Sequence, residues 1–207
     1  MKASLPPQAG PRSTPETRAK HTGKSLCKIP FTVIIDTREQ AGFEFRGLTG
    51  DSDRQYRSLA IPTIRQGLKT GDYSIVGFSV ASPANNFKAI TVERKSIADL
   101  YGSLTWGDNL TNFEEEHQRM LADYVLHGGK AHVVIEGNYG DIEWRDYGPS
   151  PAGIKSLQIK FSRLYDVHWH YADSKALAED MTFRLLDDFY HAHKHELQPE
   201  ALKESST

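Results

Sequence analysis

The chain has 207 residues, 38% of them hydrophobic, enough for one well-cored domain and cramped for two. Its one cysteine, Cys27, excludes an intrachain disulfide and a thiolate-rich zinc site, and no run approaches the ~20 apolar residues of a membrane helix. The net charge of −2 conceals a division: residues 1–28 carry +5 and the remainder −7. A basic tail on an acidic domain suits weak, salt-sensitive contact with nucleic acid, and a solvated tail with no partner fits the same charge.

Residues 1–28 are rich in Pro, Ser, Thr and Lys and are expected to be disordered, with a folded domain over 29–195 and a flexible tail over 196–207. Phe31 to Ile35 reads as a strand buried on both faces, ending in Asp36-Thr37-Arg38-Glu39-Gln40. Ala41 to Tyr56, Gly- and Asp-rich with isolated Phe43 and Phe45, reads as a surface loop. Thr63 to Leu68 and Asp72 to Val76 are two extended segments joined by Lys69-Thr70-Gly71. Ala89 to Glu93 is the next strand, and Pro83 with Asn85-Asn86 marks a hairpin turn that brings Asp72 near Glu93.

Ser96-Ile97-Ala98-Asp99 has the capping-box form and opens a helix with Ile97, Leu100, Tyr101 and Leu104 on one face. Thr111 to Glu114 repeats the box before a second helix carrying Phe113, Met120, Leu121 and Tyr124, stopped by Gly128-Gly129. Ala131 to Glu136 is a buried strand. Ser150-Pro151 starts a helix with Ile154, Leu157, Phe161 and Leu164. Val167 to Tyr171 alternates as a half-buried strand, and the last helix carries Leu177, Met181, Leu185 and Phe189. The element order predicts an α/β fold, a mixed sheet flanked by helices.

The chemistry concentrates in Gly71-Asp72 and Glu93-Arg94-Lys95. Two carboxylates can hold a Mg²⁺ ion, and phosphodiester hydrolysis needs a nucleophilic water and a neutralised transition state, so Asp72 and Glu93 are the natural pair. Glu93 and Lys95 are two apart on a strand and face the same side, where Lys95 would hold the attacking water, while Arg94 faces away and offers its backbone carbonyl to the metal. On spacing alone, a solvated strand end with an ion pair explains Glu-Arg-Lys somewhat better than a metal site does. Asp99 doubles as the acid of the Ser96 capping box, and Asp36 and Glu39 end a buried strand, either solvated or aimed at the site. His191, His193 and His195 fit a helix C-terminus through the macrodipole better than a zinc site, and His168 and His170 read as polar surface. Arg38, Arg54, Arg57, Arg65, Lys69 and Lys88 are candidate phosphate contacts.

Ile34-Ile35-Asp36-Thr37-Arg38-Glu39, Gly71-Asp72-Tyr73, Glu93-Arg94-Lys95-x3-Asp99 and Leu100-x2-Ser103-Leu104 together resemble the XPF-type nuclease domain, whose signature is GD…ERKxxxD. The resemblance implies a restriction-endonuclease-like core, Mg²⁺ or Mn²⁺ dependence, and endonucleolytic cutting of DNA, typically branched or nicked duplex, in repair, recombination or replication. By position it makes Asp36, Asp72, Glu93, Lys95 and Asp99 the active-site residues, with Arg38, Glu39, Arg94 and Ser103 in support. The metal would rest on Asp72, Glu93 and the Arg94 carbonyl, with Asp36 a further candidate ligand, and Arg38, Arg57, Arg65, Lys69 and Lys88 would meet DNA. Relatives in eukaryotes and archaea add tandem helix-hairpin-helix modules and dimerise through them. Pro151 to Ile154 is too slight for such a module, and Trp106 to Asn109 lacks an arginine common after the Ser-Leu pair. The compact form is similar to stand-alone bacterial and phage versions, implying a cytoplasmic or nucleoid location, no secretion and no membrane, with a homodimer as a candidate assembly. The rival readings are a catalytically inactive nuclease-fold module that binds DNA or a partner, and a restriction or recombination nuclease cutting ordinary duplex.

Overall fold

The computed structural model describes residues 26–79, 88–105, 107–144 and 148–197. Most of the basic tail, the tip of the hairpin with Pro83 and Asn85-Asn86, Trp106 and the C-terminal segment from residue 198 lie outside the described residues.

Six strands form one mixed sheet: β2 (Val33–Ile35), β4 (Thr63–Arg65), β5 (Tyr73–Ile75), β6 (Ile90–Ser96), β7 (Lys130–Glu136) and β8 (His168–Tyr171), in the order β4-β2-β5-β6-β7-β8. The β-branched run of β2 is buried along its whole length, and the strand lies antiparallel to β5 and parallel to β4. Beta-2 thus separates β4 from β5, so Lys69-Thr70-Gly71 carries the chain past β2 instead of closing a hairpin. Strands β5 and β6 are antiparallel neighbours, as the hairpin reading expects, and β6, β7 and β8 run parallel. A small parallel pair, β1 (Cys27–Lys28) with β3 (Leu59–Ala60), places regular structure two residues before Ile29.

Helices cover both faces, as period-2 burial of a sheet requires. Helices α1 (Ile97–Leu104), α2 (Asp108–Asp123) and α3 (Pro151–Tyr165) cover one face, where Leu100, Phe113, Met120 and Phe161 join Ala131, Val133 and Ile135 in a buried cluster. Helix α4 (Lys175–His193) covers the other, packing Phe183, Leu186, Phe189 and Tyr190 with Val33, Ile75, Ile90, Val92 and Val134. None of the described helices is long and apolar enough to cross a membrane.

Three local expectations are corrected. Helix α2 starts at Asp108 behind Gly107, not at Thr111, whose hydroxyl bonds back to the Gly107 carbonyl at 3.3 Å inside the first turn. In α4, Leu177 is 52% exposed and the buried stripe is Ala178, Thr182, Phe183, Leu186, Phe189 and Tyr190. A strict i+4 ladder drifts about 40° per step around a 3.6-residue helix, so Leu177 and Phe189 cannot share one face centre. In α3, Tyr165 is buried where Leu164 is exposed.

The segment read as a surface loop is anchored in the core: Phe43 and Phe45 are each 2% exposed, and Phe43 stacks on Tyr73 at 5.1 Å while Phe45 meets it edge-on at 5.6 Å. The Phe43 amide donates to the Tyr73 hydroxyl at 2.8 Å. Phe43→Ala is expected to cost about 3–5 kcal/mol in urea unfolding, the usual loss for a buried phenylalanine. A loss below about 1 kcal/mol would show that the loop is not part of the cooperative core.

Candidate active site

The site forms where β5 begins and β6 ends. Gly71 has φ +82°, and a Cβ there would lie 1.9 Å from the Thr91 hydroxyl, so only glycine lets the chain enter β5 this close to β6. The Asp72 amide then donates to the Val92 carbonyl at 2.9 Å, and its Oδ2 accepts from the Arg94 amide at 2.8 Å. Pairing of Tyr73 with Val92 sets Asp72 beside Glu93. Burial and the adjacent Glu93 charge push the Asp72 carboxyl up to about 8.

Strand β6 continues through Lys95 to Ser96, and its alternation divides the Glu-Arg-Lys triplet between the two faces. On the α2 side, Lys95 Nζ lies 3.0 Å from Glu93 Oε1 and 4.9 Å from the centre of the Phe113 ring. Burial works against the Lys95 ammonium, but Glu93, Glu116 and Asp72 outweigh it and hold its pKa above the ordinary lysine value. On the opposite side Arg94 grips Glu136 through two bonds of 2.7 and 2.9 Å, reaches Glu39 at 3.4 Å and lies 5.6 Å from the Phe43 ring centre. Glu136 ends β7 opposite Ser96, which accounts for its reach to Arg94.

Asp36 is fully buried with both oxygens engaged. Oδ1 accepts from the Arg38 amide and Nε at 2.7 and 2.8 Å, and Oδ2 accepts from Arg38 Nη2 at 3.1 Å and the Leu68 amide at 2.5 Å. Burial raises this carboxyl, but those donors prevail and its pKa lies below the ordinary value. The Asp36 amide donates to the Asp72 carbonyl at 2.8 Å, so Asp36 braces the backbone that carries Asp72. Asp99 is exposed, and Ser96 is the N-cap of α1: Ser96 Oγ accepts from the Asp99 amide at 3.0 Å and donates to Asp99 Oδ2 at 2.7 Å, so the Asp99 carboxylate meets the cap hydroxyl and not the Ser96 amide that a capping box expects. With Ser103 it lines a groove between α1 and α2 that also includes Glu116.

Glu116 and Glu136 are the two site residues that the sequence reading missed. Glu116 lies within Glu114-Glu115-Glu116, where composition cannot say which acid faces inward. Helix phase can, since Phe113 and His117 are buried and Glu116 is three residues beyond Phe113. Burial and Glu93 push its carboxyl up to about 8. Neighbouring His117 is buried, its Nδ1–H donates to the Phe113 carbonyl at 2.9 Å, and it is held down to about 4 chiefly by burial.

Of the candidate DNA contacts, Lys69 pairs with Asp123 at 2.6 Å, Lys88 with Glu196 at 3.1 Å and Arg38 with Asp36 at 2.8 Å. Arg54 is half-buried and pairs with Asp187 at 2.7 Å, a scaffold contact. Arg57 bonds the Arg54 carbonyl and Arg65 the Glu39 carbonyl. His193 and His195 face Glu196, His191 faces Asp187, and His170 lies 3.1 Å from His132. Among the described residues no group of three His, Cys, Asp or Glu side chains encloses a metal position.

The ERCC4 domain model matches residues 35–185 of the chain, well over half its length. Among solved structures, XPF from Aeropyrum pernix is similar over 78% of this chain and 60% of that one, with 17% identity and a TM-score of 0.50. XPF from Aeropyrum pernix in complex with DNA is similar over 78% and 66%, with the same identity and TM-score. The chain therefore spans about 60–66% of the chains it resembles, and at that identity the likeness establishes the fold. No curated protein matches it. A family match that begins at the end of β2 and includes Gly71-Asp72, Glu93-Arg94-Lys95 and Asp99, on the fold of an XPF nuclease, places this chain in the ERCC4 domain family of XPF-type nuclease domains.

Proposed function

We propose that the chain is a Mg²⁺- or Mn²⁺-dependent endonuclease that hydrolyses phosphodiester bonds in DNA, with branched or nicked duplex as its preferred substrate. The observation that carries this reading is the convergence of Asp72, Glu93 and Lys95 at one point, with the Asp72 carboxyl pushed up to about 8 by burial and by Glu93. A pair of carboxylates so placed favours a bound cation. The donor set of Asp72, Glu93 and the Arg94 carbonyl is all oxygen, which suits Mg²⁺ or Mn²⁺, and Mg²⁺ commonly takes only one or two carboxylates with water completing its shell. The bound cation supplies neutralisation of phosphate charge and activation of water.

The protein's own groups do the rest. Lys95, kept charged by its acidic neighbours, donates hydrogen bonds to the attacking water and to a phosphate oxygen, and Glu93 fixes the ammonium on that line. The Arg94 side chain, locked on Glu136 and Glu39, fixes the strand whose amide holds Asp72 Oδ2. Asp36, with no free oxygen, positions Asp72 instead of ligating the cation.

The test is cleavage of labelled linear, nicked, flap, fork and four-way DNA in Mg²⁺, in Mn²⁺ and in EDTA. Cutting near the discontinuity, lost in EDTA, is the expected result. Equal cutting of linear duplex would replace the substrate class with a general duplex nuclease, and binding without cutting in either metal would make the chain an inactive nuclease-fold module.

A further inference from the structure

A second groove, of about 460 Å³, lies along edge strand β4 and the segment that follows the Arg38–Gln40 turn. Its charged lining is Arg46, Arg65, Lys175 and Glu44. Arg65 Nη1 donates to the Glu39 carbonyl at 2.9 Å, and Lys175 Nζ donates to the Ala41 carbonyl at 2.8 Å. Both partners are neutral, so each contact orients a cation without cancelling its charge, and each side chain keeps N–H donors to spare. Arg46 pairs with Glu44 at 3.3 Å, but the two side chains are 85% and 69% exposed, where such a pair is easily exchanged. Lys69, Lys88, Arg38 and Arg54 differ in that each is already matched to a carboxylate. The groove between α1 and α2, with Asp99, Glu116 and Arg119, and one beside α4, with Asp173, Asp180 and Arg184, carry at least as much acid as base.

The basic groove is joined to the catalytic carboxylates by a short chain of contacts. Arg65 holds the Glu39 carbonyl, the Glu39 carboxylate meets Arg94 at 3.4 Å, and the Arg94 amide holds Asp72. We infer that this groove seats the phosphate backbone of one duplex arm of the substrate, through Arg46, Arg65 and Lys175, while the scissile phosphate lies at Asp72 and Glu93. The inference rests on the reading of the chain as a DNA nuclease. Phosphate is the matching ligand because the groove gathers three cations, Arg46, Arg65 and Lys175, against one carboxylate, Glu44. A three-residue edge strand is a short template for an added peptide strand, which makes an acidic peptide the weaker occupant.

The experiment measures binding of the full chain, in EDTA, to duplexes of increasing arm length across a range of salt concentrations. It compares wild type with Arg46→Gln/Arg65→Gln/Lys175→Gln and with Arg46→Gln/Lys175→Gln, which leaves the Glu39 contact intact. Each phosphate contact contributes about 0.9 to the slope of log affinity against log salt, so the triple variant should lose about 2–3 units of slope and the double about 2. Both should lose the gain in affinity that wild type shows with a longer arm. Unchanged slopes in both variants, absence of DNA binding by wild type, or competition by polyglutamate as strong as by duplex would each overturn the inference. If wild type shows the groove-dependent slope yet cuts no DNA in either metal, the hydrolytic reading falls and the groove stands.

Discussion

Asp72→Asn and Lys95→Met should each lower single-turnover cleavage by about 10³-fold or more, the usual scale for losing a metal ligand or a group that stabilises the transition state. Both substitutions preserve shape. Asparagine keeps an oxygen for the Arg94 amide and removes the charge, and methionine keeps an apolar stem beside the Phe113 ring and removes the ammonium. DNA binding in EDTA should persist, because neither group is needed to grip the flanking backbone. Asp36→Asn should be milder, about 10-fold, since it acts through the backbone beneath Asp72. Asp99→Ala removes one exposed bond from the Ser96 hydroxyl and keeps the capped amide, so it should cost about 0.5–1 kcal/mol of stability, with a smaller effect on cleavage than either principal variant. Wild-type rates in Asp72→Asn or Lys95→Met would place the chemistry elsewhere on the molecule.

How much of this was readable beforehand follows from the range over which each signal acts. The strands at Val33–Ile35 and Lys130–Glu136 are built on the apolar runs Val33-Ile34-Ile35 and Val133-Val134-Ile135, and the caps at Ser96 and Ser150 are local hydrogen-bond patterns, so both survive tertiary context. The two sides of Glu93-Arg94-Lys95 followed from period 2 alone. Insertion of β2 between β4 and β5 depends on contacts distant in sequence, and a turn-like Lys69-Thr70-Gly71 is equally at home in either topology. Phe43 and Phe45 read as surface-loop residues because their neighbours are Gly and charged residues, whereas Tyr73 supplies the surface that buries them. The inward carboxylate of Glu116 follows from the phase of α2, three residues beyond the buried Phe113, and not from the composition of Glu114-Glu115-Glu116. Glu136 was visible as the polar end of a strand, but only the β6–β7 register shows that Arg94 is its partner.

The carboxylates themselves predict an unusual coupling of pH, metal and stability. Burial and Glu93 raise Asp72 to about 8 in the folded, metal-free protein, against 3.8 for the free side chain. The folded chain therefore holds a proton that the unfolded chain has released between about pH 4 and pH 8, so this group's contribution is greatest below about pH 4 and declines as pH rises through about 8. His117, held neutral by burial down to about 4, and Asp36, whose pKa is lowered, act in the opposite sense at acid pH. The difference between wild type and Asp72→Asn removes these common terms. Without metal, Asp72→Asn should be the more stable protein at pH 8 by on the order of 1–3 kcal/mol, with a smaller difference at pH 5. Mg²⁺ binding requires the released form, so the rise in Tm that saturating Mg²⁺ gives wild type should grow from pH 5 to pH 8 and largely vanish in Asp72→Asn. Calorimetry of both proteins in EDTA and in Mg²⁺ at the two pH values measures every arm without any nuclease assay. A metal-free wild type that gains stability relative to Asp72→Asn as pH rises would show that Asp72 is not the strained, proton-holding carboxylate that its burial beside Glu93 requires.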